Sequence, residues 1–219
     1  MEYLIITILH IMGVAIGVGG ATATDPLFLS SIRNRKITSD QLVLLHNVSR
    51  VVIGGLTLVI FSGIAHVLLQ PEIVVDPTFL AKMFIVLVIA LNGFVFHSWV
   101  LPRLEGCVDR RMGKEFLSQG LPLMAGAGAV SGVSWYSALI LGVLLHFPVP
   151  FWLIITGYLM LATGAVIAAY LVMSHIIFSP QPEPQEVLEK ERFPQAMRWT
   201  PVLLATAVVV IIFISLFQL

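Results

Sequence analysis

The sequence predicts an all-α membrane protein, a polytopic bundle of six transmembrane helices with both termini outside the cytoplasm. Of the 219 residues, 58% are hydrophobic and only 11% are charged, whereas a soluble domain has about 25% charged residues. The apolar residues form runs long enough to cross a bilayer, and the basic residues lie at alternate connections between these runs. Residues 1–219 are therefore expected to form a single transmembrane domain.

Each predicted span contains about 20 or more mostly apolar residues, the length with which an α-helix crosses the hydrocarbon core. Proline and acidic residues separate the runs, for example at Pro71-Glu72 and Asp76-Pro77. Strands of a membrane barrel would alternate with period two, and these runs do not. The six predicted spans are Tyr3–Thr24, Leu42–Leu69, Thr78–Leu101, Leu121–His146, Phe151–Phe178 and Trp199–Phe217.

The orientation follows from the basic residues, because cytoplasmic connections carry an excess of lysine and arginine. Eleven of the 12 basic residues lie at the first, third and fifth connections, which are therefore expected to be cytoplasmic. Lys82 is the exception. The basic residues at these three connections are Arg33, Arg35, Lys36, Arg50, Arg103, Arg110, Arg111, Lys114, Lys190, Arg192 and Arg198.

Composition also excludes several classes of function. The 12 basic and 12 acidic residues give a net charge of zero, so no positive field is available to bind nucleic acid. The single cysteine, Cys107, excludes a disulfide framework, a cysteine-ligated iron–sulfur cluster and covalent haem attachment. The chain has neither a GxxxxGK[ST] phosphate loop nor a GxGxxG dinucleotide motif. The partners we expect are membrane lipid, a quinone or a partner cytochrome, and a second copy of the chain.

Six histidines are the most informative residues of this apolar sequence, because ionisable side chains within spans usually face the protein interior or a site. The predicted orientation places three of them toward each membrane surface. The outer set is His10, His66 and His146, and the inner set is His46, His97 and His175.

Two layers of histidines are what one or two b-type haems would require, since axial imidazoles come from facing helices at matching depth. His10 with His66 meets this condition on the outer side. His97 with His175 meets it on the inner side, with His46 as an alternative ligand. The remaining reading is that these side chains sit at the polar interface without a cofactor.

Glycines beside His10 allow two interpretations. Gly13 and Gly17 fall on the same helical stripe as His10 and leave a groove in which a flat macrocycle would have clearance. Small residues also let membrane helices approach each other closely. Gly13 and Gly17 are therefore candidates either for cofactor binding or for helix packing.

Two cations could balance the charge of a bound anion. Lys82 lies about one turn inside the third span, at the predicted depth of His10 and His66, where a haem propionate would explain it. Arg50, one turn from His46, is the corresponding candidate on the inner side. Both residues could instead extend toward the headgroups, as long basic side chains near helix ends commonly do.

Two weaker candidates remain. The eight methionines and six histidines include copper-binding residue types, but no cluster at one depth. Asp25-Pro26 is expected to cap or kink the first helix, with a proton-relay role for Asp25 as the alternative.

The residues Leu9–Gly13, Gly19-Gly20, Ser49-Arg50 and Ser62-Gly63 resemble those of the CopD-type copper-resistance membrane proteins. They also resemble the HemJ-type protoporphyrinogen IX oxidases. The resemblance covers residues 1–105 and implies haem b binding and redox work in the bacterial inner membrane. In the HemJ-type proteins a histidine of the first helix and a lysine opening a later helix form the functional pair. By position in the motif, His10 and Lys82 correspond to that pair.

The chain departs from the HemJ-type pattern in two ways. Those proteins usually have four helices and an aromatic residue before the glycine of the first helix, where this chain has Ile16-Gly17. The three further helices, residues 121–219, lie outside the resemblance. We therefore predict a haem b-containing redox protein that transfers electrons across or within the membrane, across it if the inner histidines hold a second haem. Its electron partner would be a quinone, superoxide, a porphyrinogen or a partner cytochrome. The alternatives are a CopD-like copper transporter and a non-redox membrane subunit.

Overall fold

Long helices make up almost all of the computed structural model, which describes residues 1–110, 112, 114–143 and 149–178. Within these residues the chain is all-helical, without a β-strand. The predicted sixth span Trp199–Phe217, His146 and the C-terminus lie outside the described residues. The count of six spans and the side of the C-terminus stay predictions.

Five helical segments of the described part are long and apolar enough to cross a membrane, as expected for a multi-pass membrane protein. The third segment runs without a break from Pro77 to Glu105 and includes a π-helical turn. The helices are α1 (Glu2–Arg33), α2 (Ser39–Leu69), α3 (Pro77–Val95), α4 (Leu101–Glu105), α5 (Lys114–Val143) and α6 (Phe151–Phe178); a 3₁₀ turn covers Pro71–Val75 and the π-helical turn covers Phe96–Val100.

Local sequence explains where α2 and α3 begin. The Thr38 side chain accepts a hydrogen bond from the Gln41 backbone N–H, and the Gln41 side chain accepts one from the Thr38 backbone. This capping box satisfies two backbone donors at the start of α2. Asp76 similarly accepts from the N–H groups of Thr78 and Phe79, while Pro77 takes the first helical position.

The first helix is longer than the apolar run that predicted it. Asp25-Pro26 does not end α1, which continues through Pro26 to Arg33. A proline removes one backbone hydrogen bond but does not stop a helix that neighbouring helices hold in place. Of the two expectations for Asp25-Pro26, the cap was therefore wrong, and the kink stays a prediction.

The apolar side chains are divided between lipid-facing surfaces and an interior that has two parts. Large side chains such as Phe61, Leu68 and Phe94 are more than 60% exposed, as expected where the surrounding solvent is lipid. One interior cluster, containing Ile32, Leu104 and Ile177, lies where α1, α4 and α6 end, and the other is centred on Trp135 of α5.

The first and third connections lie together at one end of the bundle. The backbone N–H of Asp109 donates to Ile37 at 2.9 Å, and the N–H of Met112 donates to Arg35 at 2.8 Å. The Arg35 side chain in turn donates to the carbonyl of Ile177, near the end of α6. We call this the basic end. It agrees with the prediction that these connections share one face of the membrane.

Helices α1 and α2 approach each other closely at glycines. A Cβ atom on Gly55 would lie 2.8 Å from the backbone nitrogen of Gly17 and 2.9 Å from the carbonyl oxygen of Gly13. Only a residue without a side chain fits this position unless the helices separate. Glycines therefore set the distance between the two helices.

The topology is testable with reporter fusions. We expect a fusion at Asn34, in the first connection, to report a cytoplasmic location, because this connection belongs to the basic end. A fusion at Val74, in the 3₁₀ turn, should report the opposite side. Paired alkaline phosphatase and fluorescent-protein fusions measure both locations, and a periplasmic signal at Asn34 would reverse the assignment of the two ends.

Candidate functional site

A polar cluster lies at the end of the bundle opposite the basic end, where α1, α2 and α3 meet. It contains His10 of α1, Ser62 and His66 of α2, and Lys82 of α3. Ser62 and His66 are four residues apart and therefore share one face of α2. Below, this set is called the His10 cluster.

Both ring nitrogens of His10 have hydrogen-bonding partners. Its Nδ1 lies 2.8 Å from the hydroxyl oxygen of Ser62, and its Nε2 lies 3.0 Å from the Nζ of Lys82. The Ser62 hydroxyl donates to the Leu58 carbonyl at 2.5 Å, so it accepts from His10 Nδ1–H. His10 is then a neutral ring whose Nε2 accepts from Lys82.

The contacts thus form a continuous hydrogen-bonded chain across three helices. Lys82 donates to His10, His10 donates to Ser62, and Ser62 donates to the backbone of its own helix. Each step joins a donor and an acceptor of matching type. Such an arrangement fixes the orientation of the His10 ring and makes its Nε2 the acceptor for Lys82.

His66 stands beside His10 with its ring almost perpendicular. The two ring centroids are 5.7 Å apart, and the ring planes meet at 79°. His66 Nδ1 donates to the backbone carbonyl of Ser62 at 2.9 Å, and its Nε2 lies 3.2 Å from the Thr7 hydroxyl. The Tyr3 ring packs edge-on against His66.

Lys82 is buried, with only 6% of its surface exposed. Its Nζ lies 3.7 Å from the position that a Cβ atom on Gly142 would take, so the side chain points inward between α1 and α5. Among the described residues, its ammonium contacts the His10 ring and forms no ion pair with a carboxylate. This geometry differs from that of a lysine extended toward the headgroups.

The structure brings together the predicted outer residues His10, His66 and Lys82. It does not leave the predicted open groove beside Gly13 and Gly17, because neighbouring helices fill that space. Gly13 faces the backbone of α2, and Gly17 faces the ring of Trp135. Both glycines therefore contribute to helix packing in this structure.

The inner histidines are not brought together in the part of the chain that the structure describes. His46 lies 3.0 Å from the Glu105 carboxylate at the basic end, and His97 Nδ1 donates to the carbonyl of Gly93 at 3.0 Å. His175 is exposed, and so is Arg50. Their pairing around a second haem stays a prediction, and His146 lies outside the described residues.

The sequence analysis named Ser62 only within the resemblance and did not assign it to the site, and it did not identify Thr7 as a neighbour of His66. Ser62 is 6% exposed and contacts both imidazoles, one through its hydroxyl and the other through its carbonyl. A signal was present, because a buried serine four residues before a histidine lies on the same helical face. Its bond to His10 depends on how α1 and α2 pack, which the spacing alone does not give.

Comparisons with known proteins add no relative to this picture. No family model, no curated protein and no solved structure matches the chain.

Proposed function

We propose that this membrane protein is a haem b-binding redox protein of the bacterial inner membrane, with the haem held at the His10 cluster. The observation that carries the proposal is the contact between His10 and the buried Lys82, 72 positions apart in sequence and 3.0 Å apart in space. These two residues are the pair to which the HemJ-type resemblance points. Haem would supply one-electron redox chemistry at this end of the bundle.

The hydrogen bonds of His10 and His66 are of the kind that haem-binding histidines make. Histidines that bind metals almost always donate their second ring N–H to a carboxylate, a backbone carbonyl or water. His66 donates Nδ1–H to the Ser62 carbonyl, and His10 donates Nδ1–H to the Ser62 hydroxyl. In both residues Nε2 is the nitrogen that would bind iron; it contacts Lys82 in His10 and the Thr7 hydroxyl in His66. The two rings come from facing helices.

Lys82 makes the cluster suited to an anionic cofactor. A buried ammonium without a carboxylate partner is costly in a membrane, and a propionate would provide the missing charge. Iron bound at His10 Nε2 would take the place that the Lys82 ammonium occupies at that nitrogen. Lys82 would then hold the propionate, and Ser62 would keep the imidazole oriented.

The electron partners proposed for this site are a quinone or a partner cytochrome at the membrane surface, with superoxide or a porphyrinogen as alternative substrates. A homo-oligomer is compatible with the broad apolar surface of the helices. The second candidate function is copper handling of the CopD type, for which the cluster offers the imidazoles of His10 and His66 as ligands. Among the described residues no group of three His, Cys, Asp or Glu side chains supplies further ligands.

A reduced-minus-oxidised absorption spectrum of the purified protein tests the proposal, since bound haem b gives a characteristic α-band. We expect His10→Ala to abolish the band, because this histidine would hold the haem iron. Ser62→Ala should weaken haem binding about tenfold, as the loss of an outer-shell partner does. Metal analysis of the same sample tests the copper alternative.

His46→Ala is the matched control, because this histidine lies at the basic end and pairs with Glu105. We expect its spectrum to show the same α-band, from haem at the His10 cluster, as the spectrum of the unmodified protein. If His10→Ala retains the full band, or if the unmodified protein has no band after expression with added haem precursor, the proposal is wrong.

A further inference from the structure

A cavity of about 100 Å³ lies between four helical segments, away from the His10 cluster. Helices α1, α2 and α5 and the segment from α3 into the π-helical turn contribute its walls. We call it the four-helix cavity. Most of its lining is apolar, and its polar or aromatic members include Asp25, Ser49, Asn92, His97 and Trp135.

The volume of this cavity suits one six-membered ring. An engineered protein cavity of about 150 Å³ holds a single benzene molecule, which is the same order of size. A tetrapyrrole is several times larger. The four-helix cavity is therefore a candidate for a small ring, distinct from the macrocycle proposed at the His10 cluster.

Asp25, the residue that follows the apolar run Tyr3–Thr24, is an exposed carboxyl group that also lines this cavity. In the part of the chain that the structure describes, it forms neither a hydrogen bond nor an ion pair. Its Oδ2 lies 3.6 Å from the position that a Cβ atom on Gly132 would take, so the carboxyl group points toward α5.

His97 presents a second acceptor to the same cavity from a different helix. It lies in the π-helical turn Phe96–Val100, and such turns are frequently found at functional sites. Because Nδ1–H donates to the Gly93 carbonyl, Nε2 of the neutral ring is the acceptor nitrogen. Asn92 also lines the cavity, and its side-chain amide donates a hydrogen bond to the Ala127 carbonyl at 3.0 Å.

We propose that the four-helix cavity binds the ring of a quinol, with Asp25 and His97 accepting hydrogen bonds from its two hydroxyl groups. A ring with a donor at each end matches two acceptors that come from different helices, whereas an ammonium ion has a single donor centre. Trp135 adds an aromatic wall against which a ring can pack. The oxidised quinone has only acceptors at these positions and fits the two side chains less well.

This inference deepens the proposed function, since a quinol is a membrane-soluble source of electrons. That it supplies electrons to a haem rests on the proposed function, but its binding does not. The binding is therefore measured on haem-free protein. In this way a failure of quinol binding and a failure of haem binding give different results.

The experiment titrates detergent-solubilised, haem-free protein with a decyl-substituted benzoquinol and, separately, with the corresponding quinone. Tryptophan fluorescence is the readout, with empty micelles as the background. We expect the dissociation constant of the quinol to be at least tenfold lower than that of the quinone. Asp25→Leu, which removes one acceptor, should raise the quinol constant at least tenfold.

Gly128→Val is the second variant, because it fills the cavity and leaves both acceptors in place. Gly128 lines the four-helix cavity, and a Cβ atom there meets nothing within 4 Å. It should also raise the quinol constant at least tenfold. Gly126→Val is the control on the same helix, since its Cβ is equally free but it does not line the cavity.

Three outcomes would overturn the proposal. The first is equal binding of quinol and quinone. The second is an unchanged quinol constant in both Asp25→Leu and Gly128→Val. The third is tighter binding of benzylammonium than of the quinol, which would assign the cavity to organic cations.

Discussion

Replacing Lys82 with methionine is expected to lower haem binding at the His10 cluster at least tenfold. Methionine is similar in length and fills the buried space, but it removes the charge that a propionate would meet. At an effective dielectric constant of about 20, two opposite charges ~4 Å apart attract each other by on the order of 4 kcal/mol before desolvation is subtracted. The haem content per protein, measured as the pyridine haemochrome, checks the expectation, and any remaining haem should show a shifted midpoint potential.

Lys82→Arg distinguishes the effect of the positive charge on haem binding from the effect of the side-chain shape. The arginine keeps the positive charge, so haem binding should fall less than in Lys82→Met, although a larger head must fit beside Gly142. Thermal unfolding of the haem-free proteins should show that both variants fold. If the methionine variant binds haem with unchanged content and potential, Lys82 has no part in holding the cofactor.

The fold class could be predicted from the sequence because a bilayer constrains the chain strongly. Long apolar runs specified five helical segments, and the span Phe151–Phe178 agrees with α6 residue by residue. The ends of α1 were less predictable. The apolar run stops near Asp25, but the helix continues because its later turns pack among the connections of the basic end.

The membership of the His10 cluster was only partly predictable. Hydropathy and the positions of the basic residues predict how deep each residue lies in the membrane. His10, His66 and Lys82 could therefore be assigned to one layer. Which atoms meet depends on the rotation of each helix about its axis, and the sequence does not give that rotation directly. Ser62 was therefore missed, although it contacts both imidazoles.

The rotation of α1 against α2 depends on the glycines between them. Gly55, Val59 and Ser62 are buried on one stripe of α2, and this stripe faces the side of α1 that carries Gly13. The close approach of the backbones brings the Ser62 hydroxyl within 2.8 Å of His10. The glycine stripe noted in the sequence thus positions the site through helix contact.

A pair of neighbouring alanine substitutions tests this argument with a large expected difference. Gly55→Ala adds a Cβ atom less than 3 Å from backbone atoms of Gly13 and Gly17, so α1 and α2 must move apart. Overpacking of this kind costs about 1–3 kcal/mol, and the thermal unfolding temperature should fall.

Gly54→Ala is the matched control, because its Cβ meets nothing within 4 Å and alanine is a better helix former than glycine. Its unfolding temperature should stay unchanged or rise. Separation of the helices also withdraws Ser62 from His10, so Gly55→Ala should reduce haem binding while Gly54→Ala retains it. Equal stability and equal haem content of the two variants would show that the α1–α2 distance does not position the His10 cluster.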